Sequence, residues 1–126
     1  MKGTLLIVDD CPESAALLEI ALEGVRTLEV VCVRSAEAAF EWTANERAAR
    51  LQGVITDLNL PALDGIELIR RMRARGRGTP IIVVSANADP HAPAQALAAG
   101  ADAFFAKPFS PAEIRKKLEE LLHAQG

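Results

Sequence analysis

Five short runs rich in Val, Ile and Leu, at residues 4–8, 28–33, 53–56, 80–84 and 103–106, alternate with longer segments of helical period. Few folds accept that alternation. Runs that are apolar throughout suit strands covered on both faces, and helices between them suit parallel crossovers, so the pattern predicts an α/β fold. The expected architecture is a doubly wound (βα)5 three-layer sandwich with sheet order 2-1-3-4-5.

The helical segments carry their own punctuation. Pro12 opens the first, and Leu18, Ala21, Leu22 and Val25 recur at steps of three and four. Ser35 is placed to cap a second helix with Ala36, Ala39, Phe40 and Thr43 on one face; Trp42 falls off that stripe and is expected to be part-exposed. Asp64 with Glu67 forms a capping-box pattern before Ile66, Ile69 and Met72, and Gly76 and Gly78 stop this third helix. Pro90 and Pro93 interrupt the approach to residues 94–99, which predicts a late or distorted fourth helix ended by Gly100. Ser110, Pro111 and Glu113 start the last helix, with Ile114, Leu118, Leu121 and Leu122 as its core stripe. Arg70, Arg71, Arg73, Arg75 and Arg77 crowd the end of the third helix, where positive charge suits the helix dipole; a solvated face is expected there rather than an acidic-partner or RNA patch.

The 126 residues suit a single domain over 1–126, with no output domain expected. The apolar run at 5–8 is far too short for a signal peptide or a membrane span, so a cytoplasmic protein with no membrane partner is expected. A net charge of −3 argues against direct nucleic-acid binding, which relies on concentrated positive charge, and points to protein partners. Cys11 and Cys32 have no metal-type or redox-type spacing, and no disulfide is expected. Cys11 is read as an inert thiol, and His91 and His123 as surface residues.

The polar residues collect at strand ends: Asp9 and Asp10 after the first, Asp57 after the third, Ser85 after the fourth, Lys107 after the fifth. In an open doubly wound sheet these ends share one edge, and ligands bind where the chain reverses direction, here between strands one and three. Asp9, Asp10 and Asp57 should therefore converge. Two unit charges about 4 Å apart repel by roughly 4 kcal/mol at an effective dielectric of about 20, so positive charge must be near. Oxygen-only donors suit a hard cation such as Mg²⁺, and Lys107 adds a second positive group. Asp57 beside Mg²⁺, Lys107 and the Ser85 hydroxyl has the equipment to accept a phosphoryl group. Taken singly, each residue has a plainer role: Asp10 as a helix cap, Ser85 as a loop hydroxyl, Lys107 as a solvated charge. Their joint placement favours a site.

Leu6-Ile7-Val8-Asp9-Asp10, Asp57 with Pro61 and Asp64-Gly65, Ser85-Ala86, and Gly100-Ala101-Asp102 leading to Lys107-Pro108-Phe109 together resemble the receiver domain of two-component response regulators, over essentially the whole chain. The resemblance implies a flavodoxin-like fold and a phosphorylation-activated switch, without separate substrate turnover. It implies that Asp57 accepts a phosphoryl group from a histidine kinase or histidine phosphotransfer protein. Mg²⁺, with Mn²⁺ as a substitute, would be held by Asp10, Asp57 and the Asn59 backbone carbonyl, and by Asp9 through water. Ser85 and Lys107 would contact the phosphoryl group. Ser85 and Phe104 would change the surface of the fourth helix, fifth strand and last helix for a downstream protein, with the chain a monomer or a phosphorylation-promoted dimer. Asn59 and Asn87 would tune dephosphorylation, and the Lys107-Pro108 peptide is expected to be cis. One departure is that Phe104 has no hydroxyl to fix its rotamer by hydrogen bonding.

Two other classes share parts of this pattern. A haloacid-dehalogenase-type phosphatase or phosphotransferase also forms a phosphoaspartate with Mg²⁺, but it uses Asp-x-Asp on the first strand, whereas Asp57-Leu58-Asn59 lies on the third and lacks the second acid. A flavin carrier needs a phosphate cradle after strand one, where Asp9-Asp10-Cys11-Pro12 would repel phosphate instead.

Overall fold

Five parallel strands, β1 (Thr4–Val8), β2 (Glu29–Val33), β3 (Leu51–Thr56), β4 (Ile81–Ser85) and β5 (Ala103–Ala106), form one sheet in the order β2-β1-β3-β4-β5. The computed structural model describes residues 3–44, 46–62, 64–75 and 78–124. Five helices connect and cover the strands: α1 (Pro12–Leu22), α2 (Ala36–Trp42), α3 (Gly65–Ala74), α4 (Ala92–Ala99) and α5 (Pro111–Ala124). The predicted order and element sequence hold. β3 begins two residues before the apolar run does, because Leu51 pairs with Thr4 across a register shift that the polar Gln52 conceals in the sequence.

Alternate side chains along a strand point to opposite faces, and both faces here are apolar. Leu6, Val8, Val54, Ile81 and Val83 belong to a core shared with Ala39 of α2, Leu68, Ile69 and Met72 of α3 and Ala96 of α4. Leu5, Ile7, Ile55, Ile82 and Val84 belong to a second core shared with Leu18 and Leu22 of α1 and Ile114, Leu118 and Leu122 of α5. Each fully buried Leu, Ile or Val contributes about 1.5–3 kcal/mol relative to exposure, so the sheet is the rigid body on which the strand ends are mounted.

The caps match their signatures. Ser35 Oγ accepts from the Ala38 N–H at 3.0 Å, Asp64 Oδ1 from Glu67 N–H at 2.9 Å, and Ser110 Oγ from Glu113 N–H at 3.3 Å. Pro12 and Pro93 each occupy a first turn, where a missing N–H costs no helical bond. α4 accordingly runs for only eight residues, and Gly100, at φ +124°, ends it.

Three sequence expectations need correction. Val25 is buried, but not from α1: Gly24 at φ +80° ends that stretch, and Val25 enters the core from a separate 3-10 turn. Trp42 is 9% exposed and part of the core, not half in solvent. The buried face of α2 follows the three-residue row Ala36, Ala39, Trp42, and in a helix of under two turns that row competes freely with the i+3/i+4 stripe. The arginines of α3 are not a uniformly solvated face. Arg73 is half-buried and donates to the Gly100 and Thr79 carbonyls at 2.9 and 2.8 Å. Arg75 donates to Thr43 Oγ1 at 2.6 Å and lies 3.6 Å from the Phe40 ring centroid, a cation–π distance. Gly76 and Arg77 lie outside the described residues.

Gly65 joins β3 to α3 at close quarters. Its N–H donates to the Leu58 carbonyl at 3.0 Å, and a Cβ on it would collide with the Asp57 carbonyl oxygen and stand 2.7 Å from Leu58 Cα. Backbone cannot yield as a side chain can. Gly65→Ala is therefore expected to cost about 2 kcal/mol and lower the melting temperature by roughly 6–8 °C, measurable by thermal and denaturant unfolding.

Candidate functional site

The hydrogen-bond ladder of the sheet continues one step past the strands and fixes the groups beyond them. The Asp9 N–H donates to the Val33 carbonyl at 3.1 Å, Asp57 N–H to Val8 at 2.9 Å, and Lys107 N–H to Ser85 at 2.9 Å. Asp9, Asp57 and Lys107 are thus held by backbone pairing before their side chains make any contact. The helix after β1 packs with one core and the helix after β3 with the other, and the divergence opens a crevice between the two strand ends.

Asp9, Asp10 and Asp57 converge on that crevice, with one carboxylate oxygen of each lying within 4.8 Å of the others. Asp9 and Asp57 are 3% and 6% exposed, while Asp10 faces solvent. Lys107 Nζ donates to Asp9 Oδ2 at 3.1 Å and to Asp57 Oδ2 at 3.0 Å. The remaining oxygens of the two buried carboxylates accept backbone N–H groups two residues on: Cys11 N–H to Asp9 Oδ1 at 2.9 Å and Asn59 N–H to Asp57 Oδ1 at 3.0 Å. Both are Asx turns, a local arrangement open to any Asp at a strand end.

Burial raises the Asp9 carboxyl above its ordinary value, and the Asp57 charge adds to the rise; the Cys11 N–H and Lys107 offset only part of it. For Lys107, burial acts to lower the pKa, but the hydrogen bonds and charges of Asp57 and Asp9 together outweigh it and hold the ammonium above its usual range. The cluster thus carries an excess of negative charge that one lysine only partly relieves. Its donors are carboxylate oxygens, and no histidine or thiolate joins them among the described residues. That donor set fits Mg²⁺, a hard cation that takes one or two carboxylates and keeps several waters.

Ser85 is buried at the end of β4, its Oγ accepting from the Asn87 N–H at 3.2 Å. Asn87 Nδ2 donates to Asn59 Oδ1 at 3.4 Å, so the loops after β3 and β4 touch at the mouth of the crevice. The sequence placed the asparagines two residues beyond Asp57 and Ser85 but could not show that they meet. Phe104 on β5 is half-buried opposite Val83 and packs on the core that α3 and α4 cover. The Lys107-Pro108 peptide is cis, as the resemblance implied.

Both cysteines are free, and neither lies among the clustered carboxylates. Cys32 donates to Glu19 Oε1 at 2.8 Å; burial and then the Glu19 carboxylate push its thiol up to about 12, which leaves it protonated at neutral pH. His91 and His123 are exposed, as expected. No helix among the described residues is long and apolar enough to cross a membrane.

Residues 5–119 match the family model described as the response regulator receiver domain. The chain is 33% identical over 122 residues to the transcriptional regulatory protein PrrA of Mycobacterium tuberculosis, covering 97% of this chain and 51% of that protein. It is 34% identical over 118 residues to the transcriptional regulatory protein ResD of Bacillus subtilis, covering 94% of this chain and 47% of that protein. The chain therefore spans about half the length of these curated relatives. Among solved structures it is similar to a CheY-like response regulator receiver domain protein from Methanospirillum hungatei, with a TM-score of 0.87 and 28% identity over 99% of this chain and 97% of that one. With the sheet order, the strand-end carboxylates and the match over residues 5–119 in agreement, the chain belongs to the response regulator receiver domain family of two-component signalling.

Proposed function

We propose that this chain is a phosphorylation-activated switch in which Asp57 accepts a phosphoryl group from a phosphohistidine of a histidine kinase or histidine phosphotransfer protein. The observation that carries the reading is Asp57 itself: a buried carboxylate held by backbone at a strand end, 3.0 Å from a lysine and clustered with two further aspartates. An Asp57 oxygen attacks phosphorus, the new P–O bond forms as the P–N bond of the donor breaks, and the imidazole leaves with the electron pair. Asn59 N–H holds one Asp57 oxygen in place, which orients the other for in-line attack. Lys107 follows the charge as it spreads onto the phosphoryl oxygens, and the Ser85 hydroxyl donates to one of them. Asp10, Asp57 and the Asn59 carbonyl, with Asp9 through water, would hold Mg²⁺ or Mn²⁺, which would supply charge neutralisation at the phosphoryl oxygens. Asn59 and Asn87, meeting over the crevice, limit the approach of water to the acyl phosphate and so set its lifetime.

The output is a changed surface of α4, β5 and α5 that a downstream protein recognises, with Ser85 and Phe104 as the moving residues. The domain works in the cytoplasm, as a monomer or a phosphorylation-promoted dimer, and it turns over no separate substrate. The dehalogenase-type phosphatase reading has less support, since Asn59 stands where that chemistry needs a second acid.

Incubation with acetyl phosphate and Mg²⁺ is expected to add one phosphoryl group by intact mass, and Asp57→Asn to abolish it. Lys107→Ala should slow incorporation about 100-fold while leaving the fold intact. An unchanged mass for folded, Mg²⁺-loaded wild type would count decisively against the proposal.

Asp9 gives a separate test through stability. Its folded-state pKa is raised, so its contribution to stability is fully present below the ordinary value of 3.8 and is lost as pH rises through the folded value. At neutral pH the charged Asp9 therefore costs stability. In metal-free buffer Asp9→Asn should melt about 2–4 °C above wild type near pH 7, and the difference should shrink as the pH falls toward 3.8. Added Mg²⁺ should close the gap by stabilising wild type. A variant that melts below wild type in metal-free buffer at neutral pH would contradict this account.

A further inference from the structure

β5 is an edge strand of four residues, Ala103-Phe104-Phe105-Ala106, paired with β4 alone. Ala103, Phe104 and Phe105 are half-buried and Ala106 is exposed, whereas every residue of β4 is buried. Burial therefore holds β5 less firmly than the strand beside it. Its sequence holds its register no better. Side chains alternate between the faces of a sheet, so Ala103 and Phe105 share one face, with Phe104 and Ala106 on the other. Phe104 packs on the core that α3 and α4 cover, and Ala103 and Phe105 on the core that α1 and α5 cover. A slip by one residue exchanges the two faces, and each again receives one alanine and one phenylalanine. Register is normally written into a strand by its hydrophobic pattern. In this strand the pattern reads the same both ways.

The start of the strand supplies what the pattern lacks. Asp102 N–H donates to the Ile81 carbonyl at 2.7 Å, and Asp102 Oδ2 accepts the Ile81 N–H at 2.8 Å. Residue 102 thus takes both main-chain groups of Ile81, the residue that opens β4, and its neighbours Ala101 and Ala103 have no carboxylate to offer in its place. Arg73 fixes the carboxylate in turn. Its Nη2 donates to Asp102 Oδ2 at 3.1 Å, its Nη1 to the Thr79 carbonyl at 2.8 Å and its Nε to the Gly100 carbonyl at 2.9 Å. The guanidinium spans the backbone entering β4 and the backbone entering β5. Gly100 leaves it room, since a Cβ there would come within 2.6 Å of Arg73 Cγ.

At the other end of β5 stands Lys107. Its N–H donates to the Ser85 carbonyl at 2.9 Å, and its Nζ reaches Asp57 Oδ2 at 3.0 Å and Asp9 Oδ2 at 3.1 Å. A shift of one residue moves Lys107 by about 3.3 Å along the sheet and turns its side chain toward the other face, which breaks the geometry of both contacts. We infer that Asp102, oriented by Arg73, is the register lock of β5 and thereby a positioning residue for Lys107 at the opposite end of the strand. The consequence for phosphoryl transfer rests on the phosphorylation reading, but the lock is a property of the resting fold. Neither Asp102 nor Arg73 touches the reacting atoms.

Amide exchange followed residue by residue by NMR in unphosphorylated protein tests the lock with three reporters. Ile81 N–H reports the lock, Lys107 N–H the far end of β5, and Val54 N–H, which donates to the Pro80 carbonyl at 2.9 Å, the adjoining β3–β4 pairing. Asp102→Ala should speed exchange roughly tenfold at Ile81 and about fivefold at Lys107, and leave Val54 within about twofold of wild type. Nuclear Overhauser contacts between Val83 and Phe104, which lie opposite each other, should weaken as contacts from Val83 to a neighbour of Phe104 arise. Asp102→Asn, which keeps an oxygen for the Ile81 N–H, and Arg73→Met, which keeps the stem, should each fall between wild type and Asp102→Ala, and they serve if the alanine variant folds poorly. With acetyl phosphate and Mg²⁺, Asp102→Ala should incorporate phosphate about fivefold more slowly than wild type, whereas Ser35→Ala, which removes the α2 cap, should keep the wild-type rate. The inference is overturned if Asp102→Ala speeds Ile81 alone with the Val83–Phe104 contacts intact, which makes Asp102 a local cap, or if Val54 speeds as much as Lys107, which makes it a general support. Absence of phosphate incorporation by wild type sinks the phosphorylation reading alone, and the three amides still decide the lock.

Discussion

Lys107 stands between Asp9 and Asp57, 98 and 50 residues away in sequence, and donates to both. At such distances of about 3 Å, an ammonium shared by two buried carboxylates is a strong constraint on where three strand ends lie relative to one another. The sheet meets that constraint by backbone pairing alone. β1 and β3 are neighbours, β5 lies two strands further along, and each ladder extends one residue past its strand to place the polar group. An apolar sheet with both faces covered has nowhere else to keep its charges, so the strand ends become the site by exclusion as much as by selection.

One lysine does not balance a cluster of three carboxylates. A buried carboxylate whose proton affinity is raised by its surroundings gains from any ligand that brings positive charge, and binding to the native state alone stabilises it by mass action. The same imbalance disfavours a bare anionic phosphate in the crevice. Phosphoryl chemistry there would therefore need added positive charge, and the exposed Asp10 leaves an approach for it. Burial and charge are in tension at Asp9, as they commonly are where charges of one sign are gathered.

Much of this was legible in the sequence, for a physical reason. Strand ends, caps and glycine stops are local, and the topology of a doubly wound sheet converts local positions into a shared edge, so Asp9, Asp10, Asp57, Ser85 and Lys107 could be brought to one edge without coordinates. What was not legible depends on partners that only the fold supplies. Trp42 is buried because α2 is too short for its stripe to be unique. Arg73 differs from Arg70 in nothing a sequence displays; its acceptors are two backbone carbonyls and Asp102, 6 to 29 residues away. Val25 had helical spacing, and only the positive φ of Gly24 separates it from α1. The Asn59–Asn87 contact likewise joins two loops that are 28 residues apart.

The distribution of order around the site follows from the same division. β1 is fully buried and β3 is buried except at Gln52, so the carboxylates sit on a platform whose local opening approaches the cost of global unfolding. α4 is eight residues long, under the length at which a helix is stable by itself, and it starts next to a loop ordered by four hydrogen bonds that involve side chains. Each such bond is worth about 1 kcal/mol, which is small beside what two new charge-assisted contacts to a phosphoryl group can supply. A ligand shifts an equilibrium only by its differential affinity for the two states. A short helix behind Ser85, beside strands that stay buried, is where a modest differential at the strand ends would have its effect, while the sheet that holds Asp57 would stay as it is.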